Sequence, residues 1–116
     1  MNTEYNEFAY AMDYITPEYF YESYNKFKEY LPDNIDYNNY VEEYQSLDEF
    51  FLRICIHKLT NNEDIYVYRF DDTSYDIEGC DSIEEINQIQ ELLDKLGLTW
   101  RESNKESEIA FINNNV

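Results

Sequence analysis

Phe50–Asp72 reads FFLRICIHKLTNNEDIYVYRFDD, and its interpretation decides the fold. Two β-rich runs flank TNNED, which reads as a hairpin loop. Ile65 to Phe70 alternates apolar and polar, and the β-branched pair Ile54 and Ile56 favours strands. A competing pattern overlaps the first run. Ser46 and Glu49 match a capping box, and Leu47, Phe50, Ile54 and His57 are spaced as on one helix face. The strand reading is adopted here for 50–70, with Leu47–Lys58 open between the two.

Upstream, the sequence predicts helices. Tyr5, Phe8, Met12 and Ile15 step by three and four. Thr16-Pro17 supplies a cap and a first-turn proline. The helix that follows buries Phe20, Tyr24, Phe27 and Leu31 before Pro32 stops it. A shorter helix is expected to carry Tyr37, Tyr40, Val41 and Tyr44. Downstream, a further strand is expected at Ser74–Glu78. Ser82-Ile83-Glu84-Glu85 is a capping box opening a helix that buries Ile86, Ile89, Leu93 and Leu96, with Gly97 as its C-terminal cap. The final LTWRESNKESEIAFINN reads as another hairpin. These elements predict an α+β fold: N-terminal helices and one later helix packed on an antiparallel sheet of about four to five strands.

The chain has 116 residues, 43% of them hydrophobic and 18% aromatic, which suits one acidic globular domain spanning 1–116. Its net charge is −18, from 26 acids against eight Lys and Arg. A compact chain this long is roughly 35 Å across, and duplex DNA of that length carries roughly 20 charges. Solubility alone needs a net charge of only about 2–8 in magnitude. Nucleic acid and anionic membranes would repel the protein, so a basic nucleic-acid-binding protein is the expected partner. Neither direct nucleic-acid binding nor membrane association is expected.

The acids are densest at Asp71–Asp94, where nine stand without a Lys or Arg. If 72–78 is extended, Asp72, Ser74, Asp76 and Glu78 form one row at steps of about 6.6 Å. Glu84, Glu85 and Asp81 suit a helix N-terminus. Elsewhere Glu4 and Glu7, and Glu18 and Glu22, share helix faces, and Glu42 and Glu43 add to the charge. Ten of thirteen tyrosines lie in the first 44 residues. Tyr10, Tyr14, Tyr21 and Tyr30 fall off the core stripes, where exposed tyrosine suits an interface. The candidate partner-binding residues are Asp71, Asp72, Asp76, Glu78, Asp81, Glu84, Glu91, Glu18, Glu22, Tyr21 and Tyr75.

No catalytic residues, cofactor or metal are assigned, and an enzyme is not expected. Asp72-x-Ser74-x-Asp76 opens like a calcium loop, but Ile77 and Ile83 stand where Gly and Glu are needed. Cys55-x-His57 is one potential ligand pair without a second. His57 is the sole histidine, and no P-loop, nucleophile elbow or dinucleotide fingerprint is present. Cys55 and Cys80 suggest no disulfide framework, and MNTEYNEFAY lacks the regions of a signal peptide. A cytoplasmic location is expected.

In size, acidity and Tyr/Asn/Ile-rich composition the whole chain resembles phage-encoded anti-CRISPR and anti-restriction proteins. That resemblance implies a DNA mimic acting in an infected bacterial host. It would block the nucleic-acid site of a defence nuclease, with a Cas9-type CRISPR effector as the expected target. Asp81-Ser82-Ile83 is similar to the Glu-Ser-Ile element of uracil-DNA glycosylase inhibitors, with Asp in place of Glu. The alternatives are an immunity protein for a basic toxin nuclease, or an inhibitor of a restriction enzyme or uracil-DNA glycosylase.

Overall fold

The computed structural model describes residues 3–11, 15–40 and 45–114. It is an α+β fold of five helices and a three-stranded mixed sheet among these residues.

Helix α1 (Thr3–Ala11) and helix α2 (Pro17–Phe27) form where expected, but α1 is shorter than its predicted face, and Ile15 lies in the linker between them. Thr16 Oγ1 accepts from Tyr19 N at 3.2 Å, and Pro17 occupies the first turn. Phe8, Phe20 and Phe27 are fully buried, and Leu31 closes the face just past the helix. Tyr5 hydroxyl donates to Ile15 O at 2.6 Å, fastening α1 to the linker before α2. Met12 lies outside the described residues, as do the side chains of Glu4, Tyr10 and Tyr14. The short helix expected near Tyr37 is a single 3-10 turn, Tyr37–Tyr40. Val41, Glu42, Glu43 and Tyr44 lie outside the described residues.

Phe50–Asp72 departs from the hairpin expectation. Leu47–Thr60 is helix α3, and the sheet starts only at β1 (Tyr66–Arg69). The capping-box signal wins: Ser46 Oγ accepts from Glu49 N at 3.2 Å. The helix is buried at nearly every position from Leu47 to His57. A helix enclosed all round shows no clean amphipathic period, so its apolar run imitates a buried strand. TNNED is its exit, with Asn61 in the left-handed region at φ 54° and its N–H donating to His57 O.

Strand β2 (Ser74–Glu78) pairs antiparallel with β1, setting Tyr66 opposite Glu78 and Tyr68 opposite Asp76. Helix α4 (Ile83–Leu96) follows, capped by Ser82 and ended by Gly97 at φ 72°. It carries the chain over to β3 (Thr99–Trp100), which lies parallel to β2. A parallel neighbour needs such a crossover. The expected antiparallel sheet of four or five strands is therefore three strands of mixed direction. The C-terminal hairpin is also corrected: after two strand residues the chain becomes helix α5 (Glu102–Asn114). Only Ile112 of α5 is buried, with Ile109 half-buried, too few apolar side chains to announce a period. β2 is the central strand, so its acids do not line an edge.

Helix side chains, rather than more strands, meet backbone groups at both sheet edges. Glu49 Oε2 accepts from Arg69 N at 2.7 Å, and His57 Nε2 lies 2.7 Å from Ile65 O. On the other edge β3 is only two residues long. Past it, Asn104 Oδ1 accepts from Ile77 N at 2.8 Å, and Glu108 Oε1 from Gly79 N and Cys80 N at 3.0 and 3.1 Å. Residues four apart on a helix share a face, so Asn104 meets a donor of β2 while Glu108 meets the two donors just past its end. The core holds Val67, Tyr75 and Ile77 from the sheet against α3 and α4, while α1 and α2 pack beyond α3. The body measures 46 × 23 × 23 Å, longer and narrower than the sphere the chain length suggests.

Candidate functional site

The alternation of β1 and β2 sorts their side chains onto two faces. Val67, Tyr75 and Ile77 point into the core, leaving Tyr66, Tyr68, Ser74, Asp76 and Glu78 on the outer face. Phe70 continues the outer row, its N–H donating to Ser74 O at 2.9 Å. Tyr66, Tyr68 and Phe70 are 43%, 45% and 60% exposed, an unusual run of uncovered aromatic surface for one strand. Tyr66 and Tyr68 are near-parallel, with ring centroids 6.3 Å apart. A guanidinium covers each end of the row: Arg53 lies 4.6 Å from the Tyr66 centroid, and Arg101 lies 4.1 Å from that of Phe70. Tyr75, predicted to bind a partner, is instead fully buried, because it is out of phase with the acid row.

The acids of this hairpin are largely employed. Asp71 closes the turn, accepting from Thr73 N and Ser74 N at 3.0 and 2.9 Å. Chiefly the Thr73 N–H holds its carboxyl below the usual range. Asp72 pairs with Arg69. Asp76 takes a two-pronged bond from Arg101, Nε to Oδ1 at 2.7 Å and Nη2 to Oδ2 at 2.8 Å. Glu78 is exposed opposite Tyr66, with no hydrogen bond or ion pair among the described residues.

The other predicted residues lie apart from this face. Asp81 and Glu85 bind the buried Asn62, whose Nδ2 reaches their carboxylates at 3.2 and 3.1 Å. Asp81 N also donates to Glu85 at 2.8 Å. Glu84 is exposed in the first turn of α4, and Glu91 is exposed beside Lys95. Glu18 and Glu22 are exposed on α2. Tyr21 is half-buried, its ring against Phe20 and its hydroxyl accepting from Tyr5 N, and Tyr30 is half-buried too. Of the predicted residues, Asp71, Asp72, Asp76 and Glu78 share this hairpin, while its exposed aromatic row was not among them. The alternation of Ile65–Phe70 was the available signal.

Two clefts flank α2 and α3. One, of about 210 Å³, is polar and lined by Tyr19, Glu22, Lys26, Asp48 and Arg69, where Lys26 bridges Asp48 at 3.0 Å. The other, of about 310 Å³, lies among Tyr30, Cys55, Lys58, Leu59 and Leu92. Burial pushes the Cys55 thiol up to about 12, which leaves no thiolate for nucleophilic chemistry at neutral pH. Cys55 and His57 sit two apart on a helix and diverge, Sγ toward Phe27 O and Nε2 toward Ile65 O. Among the described residues no three His, Cys, Asp or Glu are placed to hold a metal ion, and no helix is long and apolar enough to cross a membrane.

Most acids face outward, and most of the cations contact the chain's own groups. Glu49 is the only buried acid among the described residues. Arg69, Lys26, Lys95 and Arg101 pair with the chain's own carboxylates. Lys58 donates to Leu31 O, and Lys105 to Gln90 Oε1. The chain matches no protein-family model, and no curated protein or solved structure is significantly similar to it.

Proposed function

We propose that the protein is an acidic inhibitor that occupies the nucleic-acid-binding site of a basic DNA-acting enzyme, with a Cas9-type nuclease as the first target to test. One observation carries this reading: a net charge of −18 on a body 46 Å long and 23 Å wide, with four of its eight Lys and Arg already paired to its own carboxylates. Duplex DNA of the same length carries about 27 charges. The protein therefore reaches roughly two-thirds of that linear charge. Such a field would speed encounter with an Arg/Lys-lined channel and weaken as salt screens it.

The test is a pull-down from a lysate containing Cas9–guide complex and restriction enzymes, repeated with competing duplex DNA. Capture of a DNA-binding enzyme that duplex displaces is the expected result. Capture that duplex leaves unchanged would overturn mimicry and point to a toxin-type partner bound elsewhere than a DNA channel. Glu18→Gln/Glu22→Gln and Glu78→Gln variants in the same assay then rank the two exposed acidic surfaces.

A further inference from the structure

The outer sheet face combines features that a merely solvated acidic surface lacks. Three aromatic side chains stand exposed in line, and charged groups surround them. The chain itself shows what these rings accept: Arg53 on Tyr66 and Arg101 on Phe70, the latter also gripping Asp76 with both prongs. Tyr68, between them, has neither guanidinium stacked on its ring, although the Arg53 charge reaches its phenol. Glu78 stands on the same face, opposite Tyr66 and so diagonally across from Tyr68. After desolvation, its charge helps push the Tyr68 phenol up. An exposed ring with an uncommitted carboxylate nearby is complementary to a planar cation that stacks and donates together.

We propose that this face docks an arginine-bearing element of the basic partner, seating a guanidinium on Tyr68 with Glu78 as its carboxylate. This rests on the basic-partner reading above and names the surface and side chain through which it works. Arginine rather than lysine is the occupant, because only the guanidinium is flat enough to stack on a ring while donating to a carboxylate. The external arginine would extend the pattern of Arg53 and Arg101 into a third, intermolecular pair. Acids elsewhere on the body would steer without choosing between the two cations.

Hexa-arginine and hexa-lysine peptides separate these roles when titrated into the whole protein at 0.15 M salt, followed by calorimetry and backbone amide shifts. Hexa-arginine should bind about 3–5-fold tighter, the scale of one exposed cation–π contact, with the largest shifts at residues 66–78. Tyr68→Thr keeps a strand-forming residue at an exposed position. It should bring hexa-arginine down to the hexa-lysine level and leave hexa-lysine unchanged. Equal binding of the two peptides, or an arginine preference that survives Tyr68→Thr, would overturn the docking face while leaving the basic-partner reading standing. Binding of neither peptide would overturn that reading and the face with it. The amide shifts are read on the unmodified chain, so they decide the matter even if the variant folds poorly.

Discussion

Tyr75 packs its ring into the core, but its buried hydroxyl has no hydrogen-bond partner among the described residues. Burial raises its ionisation well above the usual phenol value. Leaving a buried hydroxyl unsatisfied costs about 1–3 kcal/mol. Tyr75→Phe keeps the ring and removes the orphan, so it should raise stability by about 1 kcal/mol, read from the urea midpoint at constant m-value. A loss of stability would mean that the hydroxyl has a partner. The cysteines give a prediction in pH. Burial pushes both thiols from 9.0 up to about 12, Cys80 further raised by Glu108. Below pH 9 both states hold their protons and nothing changes. Between 9 and 12 the unfolded thiols ionise while the folded ones do not, so each removes about 1.4 kcal/mol per pH unit. Melting temperature should therefore fall steeply above pH 9, and Cys80→Ala should flatten that fall.

Glu108 and Asn104 show at the level of elements how a two-residue β3 suffices. The strand stops after Trp100, and α5 takes over its hydrogen-bonding role along β2 with side-chain oxygens. Glu108→Ala strips the acceptor from Gly79 N and Cys80 N, and should cost about 1–2 kcal/mol. Glu108→Gln keeps an amide oxygen there and should cost under half as much. Paired thermal melts compare them; equal losses would show that the carboxylate's charge, rather than its acceptor, matters. Gly79 fits the same junction, since at φ 96° an added Cβ would stand 2.6 Å from Asp64 O. None of this was readable beforehand, because Asn104 and Glu108 look like ordinary polar residues until β2 lies beside them. Elements with local signals were legible: Thr16-Pro17, Ser82 with Glu85, and Gly97 each act on their own turn. The alternation of 74–78 correctly placed Asp76 and Glu78 on one face. What failed was α3, whose burial from all sides erases the period, and α5, whose contacts are long-range and polar. The Arg101–Asp76 pair lay beyond reach for the same reason, since 25 residues separate the partners.

Across the whole molecule, an excess of 18 negative charges strains a body only 23 Å wide. The four described ion pairs relieve this only locally, and three of them hold an acid from the hairpin or α4. The Debye length is about 30 Å at 0.01 M salt and 8 Å at 0.15 M, so charges across the 23 Å width feel one another in the first condition and are largely screened in the second. Self-repulsion opposes the compact state more than the expanded one. Raising sodium chloride from 0.01 to 0.5 M should therefore raise the melting temperature by several degrees, since about 1 kcal/mol moves a domain of this size by about 4–8 °C. Partner binding should move the opposite way, losing affinity over the same range as attraction is screened. The two trends together are diagnostic. A protein whose acidity served solubility alone would gain stability with salt but show no salt-weakened complex. One whose acids were balanced by undescribed contacts would show neither. Glu18→Lys/Glu22→Lys, on exposed positions of α2, should supply part of the same stabilisation at low salt and cease to do so at 0.5 M.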